Sequence, residues 1–336
     1  MVFVSIGLRL EVDVEAMNMV EPMGAYTRHR TAPMVKRRGT GRYTIVMAPS
    51  ISGQSIGFAY QSTLVELAKI RKLPLCSACE NYKTIGGFVK QSGDVKNCVV
   101  EDITGFMIAA EKGQMANRRT STISFSYMLP DLEGASAHIE PQMHVRYNLL
   151  QSKELQQPFE IETATAIYTV SIALDPEKIG VVEQGVYENG QYRTRKEGVS
   201  DRKERVILAF DALKVLFEGQ VYGAKKSRVL PIVRILGAVA TISDPWPFMV
   251  SPARVRSEDD HYINETWERA LMYVKTLSEE TIQITYMDKE GLSIKKPELD
   301  DETSKRLIDL GAANTLSELI DKIKNVVVGA LFPEKR

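Results

Sequence analysis

The chain has 336 residues, 44% of them hydrophobic and 26% charged, with 43 Lys and Arg balanced by 43 Asp and Glu. That length supports one elaborated domain or two modest ones, and a zero formal charge argues against coating nucleic acid through the overall field. No apolar run approaches the ~20 residues needed to cross a bilayer, the start lacks the apolar core of a signal peptide, and three cysteines cannot build a disulfide framework. A cytoplasmic protein without membrane contact is expected.

Val2, Val4, Ile6, Leu8, Leu10, Val12 and Val14 alternate with the set running from Phe3 to Glu15, which predicts a strand with one buried face. Residues 18–42 read as a long loop, broken by Pro22, Gly24, Pro33, Gly39 and Gly41. A second strand is predicted at 43–48. A helix then runs to about Lys72, with Ser52 as its N-cap.

Residues 74–98 show no sustained period and read as an insertion, partly helical. Residues 99–110 and 120–128 read as strands, 130–158 as a projecting hairpin or loop, and 159–174 as a long strand. A hairpin is predicted over 181–194, turning at Asn189-Gly190. Helices are predicted at 200–217, 258–277 and 298–331, the last with a break near Gly311, and strands at 229–242 and 281–287. This order suggests an α+β fold, a mixed sheet with helices on one face, consistent with a ferredoxin-like core carrying large insertions.

The strongest functional signal is where acids are missing. No Asp or Glu occurs from Pro22 to Val65, a stretch that holds Arg28, Arg30, Lys36, Arg37, Arg38, Arg42 and His29. Two readings stay open there: a phosphate-binding surface and a solvated basic loop. A second acid-free run, from Gly219 to Ser243, contains Gly223-Ala224-Lys225-Lys226-Ser227-Arg228. It is either a backbone cradle for phosphate or a polar turn between helix and strand, and it lacks the GxxxxGK[ST] pattern of a nucleotide loop. Ser50, Ser52, Gln54 and Ser55 cluster at a helix start, where free N–H groups and hydroxyls suit a phosphate or sugar edge.

Cys76-x-x-Cys79 is compatible with the start of a zinc site. Only Cys98 and one of His29, His138 or His144 are available to complete it, and buried reduced thiols are the favoured reading. The four histidines, these three and His261, have no spacing that marks a metal or nucleophile site. No catalytic residue, cofactor or metal is expected.

The segments APSISGQSIGFAYQ, CVVEDITGFM, QMHVRYN with QQPFEIETATAIY, and GAKKSRVLP stand in this order within residues 1–240. Together they resemble the guide-RNA-binding backbone subunit of type I CRISPR Cascade complexes, in the DevR group of the RAMP superfamily, with the archaeal type I-A form nearest. The resemblance implies an RRM-like palm over residues 1–73, 99–130 and 159–250. It further implies helical fingers over 74–98 or as far as 120, a thumb hairpin over 131–158, and a C-terminal helical extension over 251–336. The implied RNA contacts are Arg28, Arg30, Lys36, Ser50, Ser52, Gln54, Ser55, Met143, His144, Arg146, Lys225, Lys226, Ser227 and Arg228. Where some relatives carry a basic residue after the helix-start motif, this chain has Gly57 and Phe58. The implied partners are crRNA, single-stranded target DNA, further copies of the chain in a filament, and other Cascade subunits.

A RAMP-type endoribonuclease is the rival. Some relatives cut RNA with an acid in the loop after the first strand; here Glu21 is the only acid between Asn18 and Arg42, which disfavours that chemistry. A transcriptional regulator ranks last, because no helix-turn-helix pattern with a basic recognition helix occurs.

Overall fold

In β1 (Phe3–Glu15) apolar side chains recur at every second position. Val4, Ile6, Leu8, Leu10 and Val12 are at most 1% exposed and line one face. The parity then reverses: Val14 takes φ 48° and is exposed, while Glu15 is fully buried. A bulge between Val12 and Glu15 adds a residue against the neighbouring strand and flips the side chains that follow. The expectation that Val14 faces the core fails for that reason. The computed structural model describes residues 1–20, 24–90, 92–109, 117–147, 156–188, 190–224, 226 and 229–333.

The expected loop over 18–42 is largely strand. After the short β2 (Tyr26–Thr27), β3 (Thr31–Gly39) and β4 (Arg42–Pro49) pair as a hairpin. Gly39 and Gly41, read as loop breakers, make its turn, and both have positive φ. Pro33 is tolerated because the ribbon has only two strands, each with a free edge. α1 (Gly53–Arg71) begins where expected, with the Ser52 hydroxyl accepting from the Ser55 N–H at 3.2 Å.

The insertion contains single helical turns, α2 (Ser77–Glu80) and α3 (Tyr82–Ile85). Residues 99–104, expected as strand, form α4 (Val99–Thr104). Val99, Val100 and Ile103 are all buried; their spacing of one and four belongs to a helix face, not to a pleat. β5 (Phe106–Ile108) pairs with β6 (Asn117–Arg119), and the strand expected over 120–128 shrinks to β7 (Ile123–Phe125) before the short β8 (Leu129–Pro130).

β9 (Ala137–Tyr147) runs antiparallel to the first part of β10 (Gln156–Leu174), from Tyr147 opposite Gln156 to Ala137 opposite Ala166. Beyond that ribbon β10 pairs with β1. β11 (Val181–Glu188) and β12 (Gln191–Gly198) form the expected hairpin, with Glu188 opposite Gln191. α5 (Arg202–Glu218) and β13 (Ile232–Asp244) follow, then α6 (Tyr262–Thr276), β14 (Thr281–Asp288), β15 (Leu307–Ala312) and α7 (Leu316–Leu331).

The main sheet runs β15-β14-β13-β1-β10, with β2, β7, β8 and β9 on the outer edge of β10. Helices cover both faces rather than one. α1, α5 and α7 pack on the side of Ile6, Leu8 and Leu10. α6 packs on the other side, its Trp267 and Tyr262 against Val239, Ile282 and Ile284. Residues 251–336 are therefore not a helical extension, since they add two strands to the sheet. β15, expected as helix, is a six-residue strand parallel to β14, and only that distant pairing reveals its state. No helix among the described residues is long and apolar enough to cross a membrane.

Asp102, in α4, fastens the insertion to the rest. It accepts from Arg119 at 2.5 Å, from Arg205 at 3.0 Å and from the Gly180 N–H at 2.8 Å. Arg205 is fully buried and also reaches the carbonyls of Val95 and Lys96. Replacing Asp102 by Ala takes a carboxylate from Arg119 and from buried Arg205, which keeps only the Asp201 carboxylate at 2.9 Å, and urea unfolding is expected to show a loss of about 3 kcal/mol. Glu66→Gln, at the exposed Lys83–Glu66 pair, is expected to leave the midpoint unmoved.

Candidate nucleic-acid interface

The bulge at the end of β1 turns Glu15 inward, and a buried carboxylate needs donors. Glu15 Oε1 receives His29 Nε2 at 2.5 Å and the Tyr168 hydroxyl at 2.8 Å; Oε2 receives the Met17 N–H at 2.6 Å. The other His29 nitrogen, Nδ1, faces the Arg30 carbonyl at 2.8 Å. Acceptors on both sides of the ring suit the imidazolium, the only form that donates from both nitrogens. Burial alone would lower the pKa of His29, but the hydrogen bond and charge of Glu15 outweigh it and raise the value. The His29 N–H also donates to Glu162 at 2.7 Å, and Glu162 receives the Tyr26 hydroxyl at 2.5 Å. The segment 26–30 is thereby bolted to β1 and β10.

Three stretches that the sequence singled out meet around this node. The Arg30 N–H donates to the Asn18 carbonyl, and the Arg30 carbonyl receives the N–H and hydroxyl of Ser50. The Ala224 N–H donates to the Met17 carbonyl at 2.8 Å. Gly223 has φ 90°, and a Cβ there would lie 2.5 Å from the Met17 side chain, so the loop approaches this closely only with glycine. Ser55, Gly223 and Ala224 line one groove of about 580 Å³, walled by Phe58 and Tyr82.

The expected contact residues differ in what they offer. Arg28 is exposed, with its guanidinium 5.3 Å from the centre of the Tyr26 ring. Gln54 is exposed, and Arg30, Lys36 and Ser55 are partly so. Ser50 and Ser52 are buried and have structural duties, one on Arg30 and the other as helix cap. Lys226 turns back on its own loop: its ammonium bonds the Gln220 carbonyl and sits 5.3 Å from the Tyr222 ring centre, and burial lowers its pKa. On the β9–β10 ribbon, Met143 is 76% exposed opposite Glu160, which itself lies opposite Tyr26. His144 stacks on Phe159 at 5.2 Å, and Arg146 belongs to β9. Lys225, Ser227 and Arg228 lie outside the described residues, as does Glu21.

Sequence reasoning missed Glu15, Met17, Glu162 and Tyr168, the residues that hold the stretches together. Strand alternation assigned Glu15 to the open face, and no local pattern marks the bulge that reverses it.

Residues 6–267 match the family described as CRISPR-associated negative auto-regulator DevR/Csa2. The chain belongs to this family. The CRISPR-associated aCascade subunit Cas7/Csa2 2 of Saccharolobus solfataricus is 32% identical over 314 residues, covering 87% of this chain and 94% of the relative. The CRISPR-associated protein Cas7/Cst2/DevR of Thermoproteus tenax is 24% identical, with 94% and 92% covered. A chain of a solved CRISPR RNA-guided surveillance complex superposes on 97% of this one and 99% of itself, with a TM-score of 0.54. At 10% identity, that likeness is one of fold.

In this DevR/Csa2 chain, the His29 node makes stability depend on pH. His29 titrates above its ordinary value of 6.5, so its stabilisation is complete below pH 6.5 and is lost as pH rises through the raised value. His29→Ala is expected to cost about 3 kcal/mol at about pH 6, by leaving a buried carboxylate short of a partner. Urea unfolding across about pH 6–9 should show that gap narrowing toward alkaline pH. A gap independent of pH would mean that His29 is neutral in the fold.

Proposed function

We propose that this DevR/Csa2-family chain is a non-catalytic backbone subunit of a Cascade complex, binding crRNA and supporting its pairing with single-stranded target DNA. Copies stack side by side along the guide, and other Cascade subunits complete the assembly in the cytoplasm. One observation carries the reading: the Arg28–Arg30 segment, the Ser50–Ser55 helix start and Gly223-Ala224 converge on one node. Cations, hydroxyls and backbone N–H groups suit an RNA held through its phosphates and sugars, with no base code required.

The strand order β13-β1-β10, antiparallel throughout, with α1 and α5 on one face, supports an RRM-like palm. The β9–β10 ribbon supports the thumb, with exposed Met143 and Val145 available as apolar wedges against bases. Stacking of copies draws support from the β3–β4 hairpin. Val35 opposite Ile45, and Pro33 opposite Met47, put exposed apolar side chains on one face. The name of the Saccharolobus relative as an aCascade subunit agrees with this assignment.

On a ~40-nucleotide RNA, long beside a single-stranded module's footprint, light scattering is expected to find several copies per strand, with the RNA recovered uncut. Arg28→Ala and Arg30→Ala should each flatten the log–log salt dependence of binding by roughly 0.7 per lost phosphate contact, equally for unrelated sequences. Gln54→Ala should cost about 1 kcal/mol with an unchanged slope, as befits a neutral hydrogen bond. A folded protein that ignores RNA at low salt would overturn the proposal, and metal-dependent cleavage would revive the nuclease.

The thumb is testable separately. Replacing residues 144–159 by a short turn spares Asp131, whose carboxylate holds Arg9 at 2.5 Å. RNA affinity is expected to stay within roughly tenfold, about 1.4 kcal/mol, while the regular spacing of protected nucleotides is lost. Unchanged footprints would mean that the spacing element lies elsewhere.

A further inference from the structure

The insertion that the RNA reading treats as a finger holds a cluster that the proposed function does not use. Cys76, Cys79, Cys98 and Glu101 bring three sulfurs and a carboxylate oxygen within 4.8 Å of one another. Cys79, Cys98 and Glu101 are fully buried. Glu101 is the partner that sequence reasoning lacked. Of the histidines that the sequence offers as a fourth ligand, His29 is committed to Glu15, whereas Glu101 lies in a helical turn where a strand is expected.

We propose that Cys76, Cys79, Cys98 and Glu101 form a structural zinc site that staples the start of the insertion, at α2, to α4. All ligand–ligand edges are within 4.8 Å, and one already has the length that a zinc tetrahedron requires. With Zn–S about 2.3 Å and Zn–O about 2.0 Å, a tetrahedron has S···O edges of about 3.5 Å and S···S edges of about 3.8 Å. Cys76 Sγ lies 3.5 Å from Glu101 Oε1. Three thiolates select zinc over magnesium or calcium, which take oxygen ligands. Four protein ligands leave no open position, so the site is structural rather than catalytic.

The surroundings orient the donors as a metal's outer shell does. Glu101 is fixed by the Ser92 hydroxyl at 2.6 Å, the Ser92 N–H at 3.1 Å and the Gly93 N–H at 3.0 Å. The Cys79 N–H donates to Cys76 Sγ at 3.4 Å. Three thiolates and a carboxylate around one divalent ion leave negative charge over. Lys90, half-buried and anchored on the Thr104 carbonyl at 3.0 Å, lies within electrostatic range of Cys79, Cys98 and Glu101 and offsets part of it.

The staple would act on the groove. Between its two pairs of ligands lie Tyr82 and Phe88, stacked at 4.5 Å, and both rings meet Phe58 of α1 edge-on. Zinc would hold this aromatic wall in place, whatever binds the groove beside it.

Elemental analysis of the reduced full-length protein, loaded with zinc and dialysed, tests the site. About one zinc per chain is expected, falling to background in Cys98→Ser. Cobalt added to metal-free wild type should give thiolate-to-cobalt charge transfer and the strong visible bands of tetrahedral coordination, a readout that needs no folded variant. Ser92→Ala leaves every ligand in place and should lower zinc affinity roughly 10–100-fold, measured by competition with a chelating dye. Chelation should raise hydrogen exchange in residues 77–104. Wild type that retains no zinc and gives no cobalt charge transfer overturns the site, as does a Cys76–Cys79 disulfide in the protein as purified. Zinc binding unaffected by both Ser92→Ala and Glu101→Ala would overturn the four-ligand assignment.

Discussion

A carboxylate out of reach of water must find donors or lose its charge, and Glu15 is fully buried. Its donors come from three separated parts of the chain: His29 from the basic segment, Tyr168 from β10 and the Met17 N–H from the turn after β1. The arrangement of the candidate interface depends on that requirement. With His29 seated, the Arg30 carbonyl is in position to receive Ser50, and Arg28 is left exposed beside Tyr26. With Met17 seated, its carbonyl receives the Ala224 N–H and its side chain admits only glycine at 223. The node itself is buried; it determines where the exposed groups around it stand.

The same device recurs elsewhere in the fold. Asp131, fully buried, receives Arg9 from the centre of β1 and the Val255 N–H, and so ties the base of the β9–β10 ribbon to the segment after β13. Asp102 receives Arg119, Arg205 and the Gly180 N–H, and ties the insertion to α5 and to the turn before β11. Each partnership joins elements that no sheet ladder connects. A buried pair is weak evidence for net stability but strong evidence for register, because breaking one side leaves an uncompensated charge.

Neutral composition and a basic edge are compatible because charge is segregated along the chain. The acids that balance 43 cations are absent from residues 22–65 and 219–243, and several of them serve inside the protein as fasteners. Arg37, Arg38 and Arg42 stand exposed on the hairpin in an acid-free stretch. Net charge describes the far field, whereas an RNA strand within a Debye length meets the local one.

The sequence by itself determined the strands and helices whose period is long and clean: β1 as far as Val12, α1 from its Ser52 cap, the β11–β12 hairpin, α5 and β13. It also revealed the acid-free strips, and the motifs that carry the family resemblance. What it could not determine depends on partners far away in the chain. The bulge that exchanges Val14 for Glu15 is a mismatch between two strands, so neither strand contains it alone. β15 is a strand because β14 offers it an edge, and 251–336 joins the sheet for the same reason. Residues 99–104 are helical, and that local turn brings Glu101 to the cysteines and Asp102 to two arginines. Hydrophobic period is a property of neighbours in sequence; a buried charge is placed by its partners in space, and only the tertiary structure supplies those.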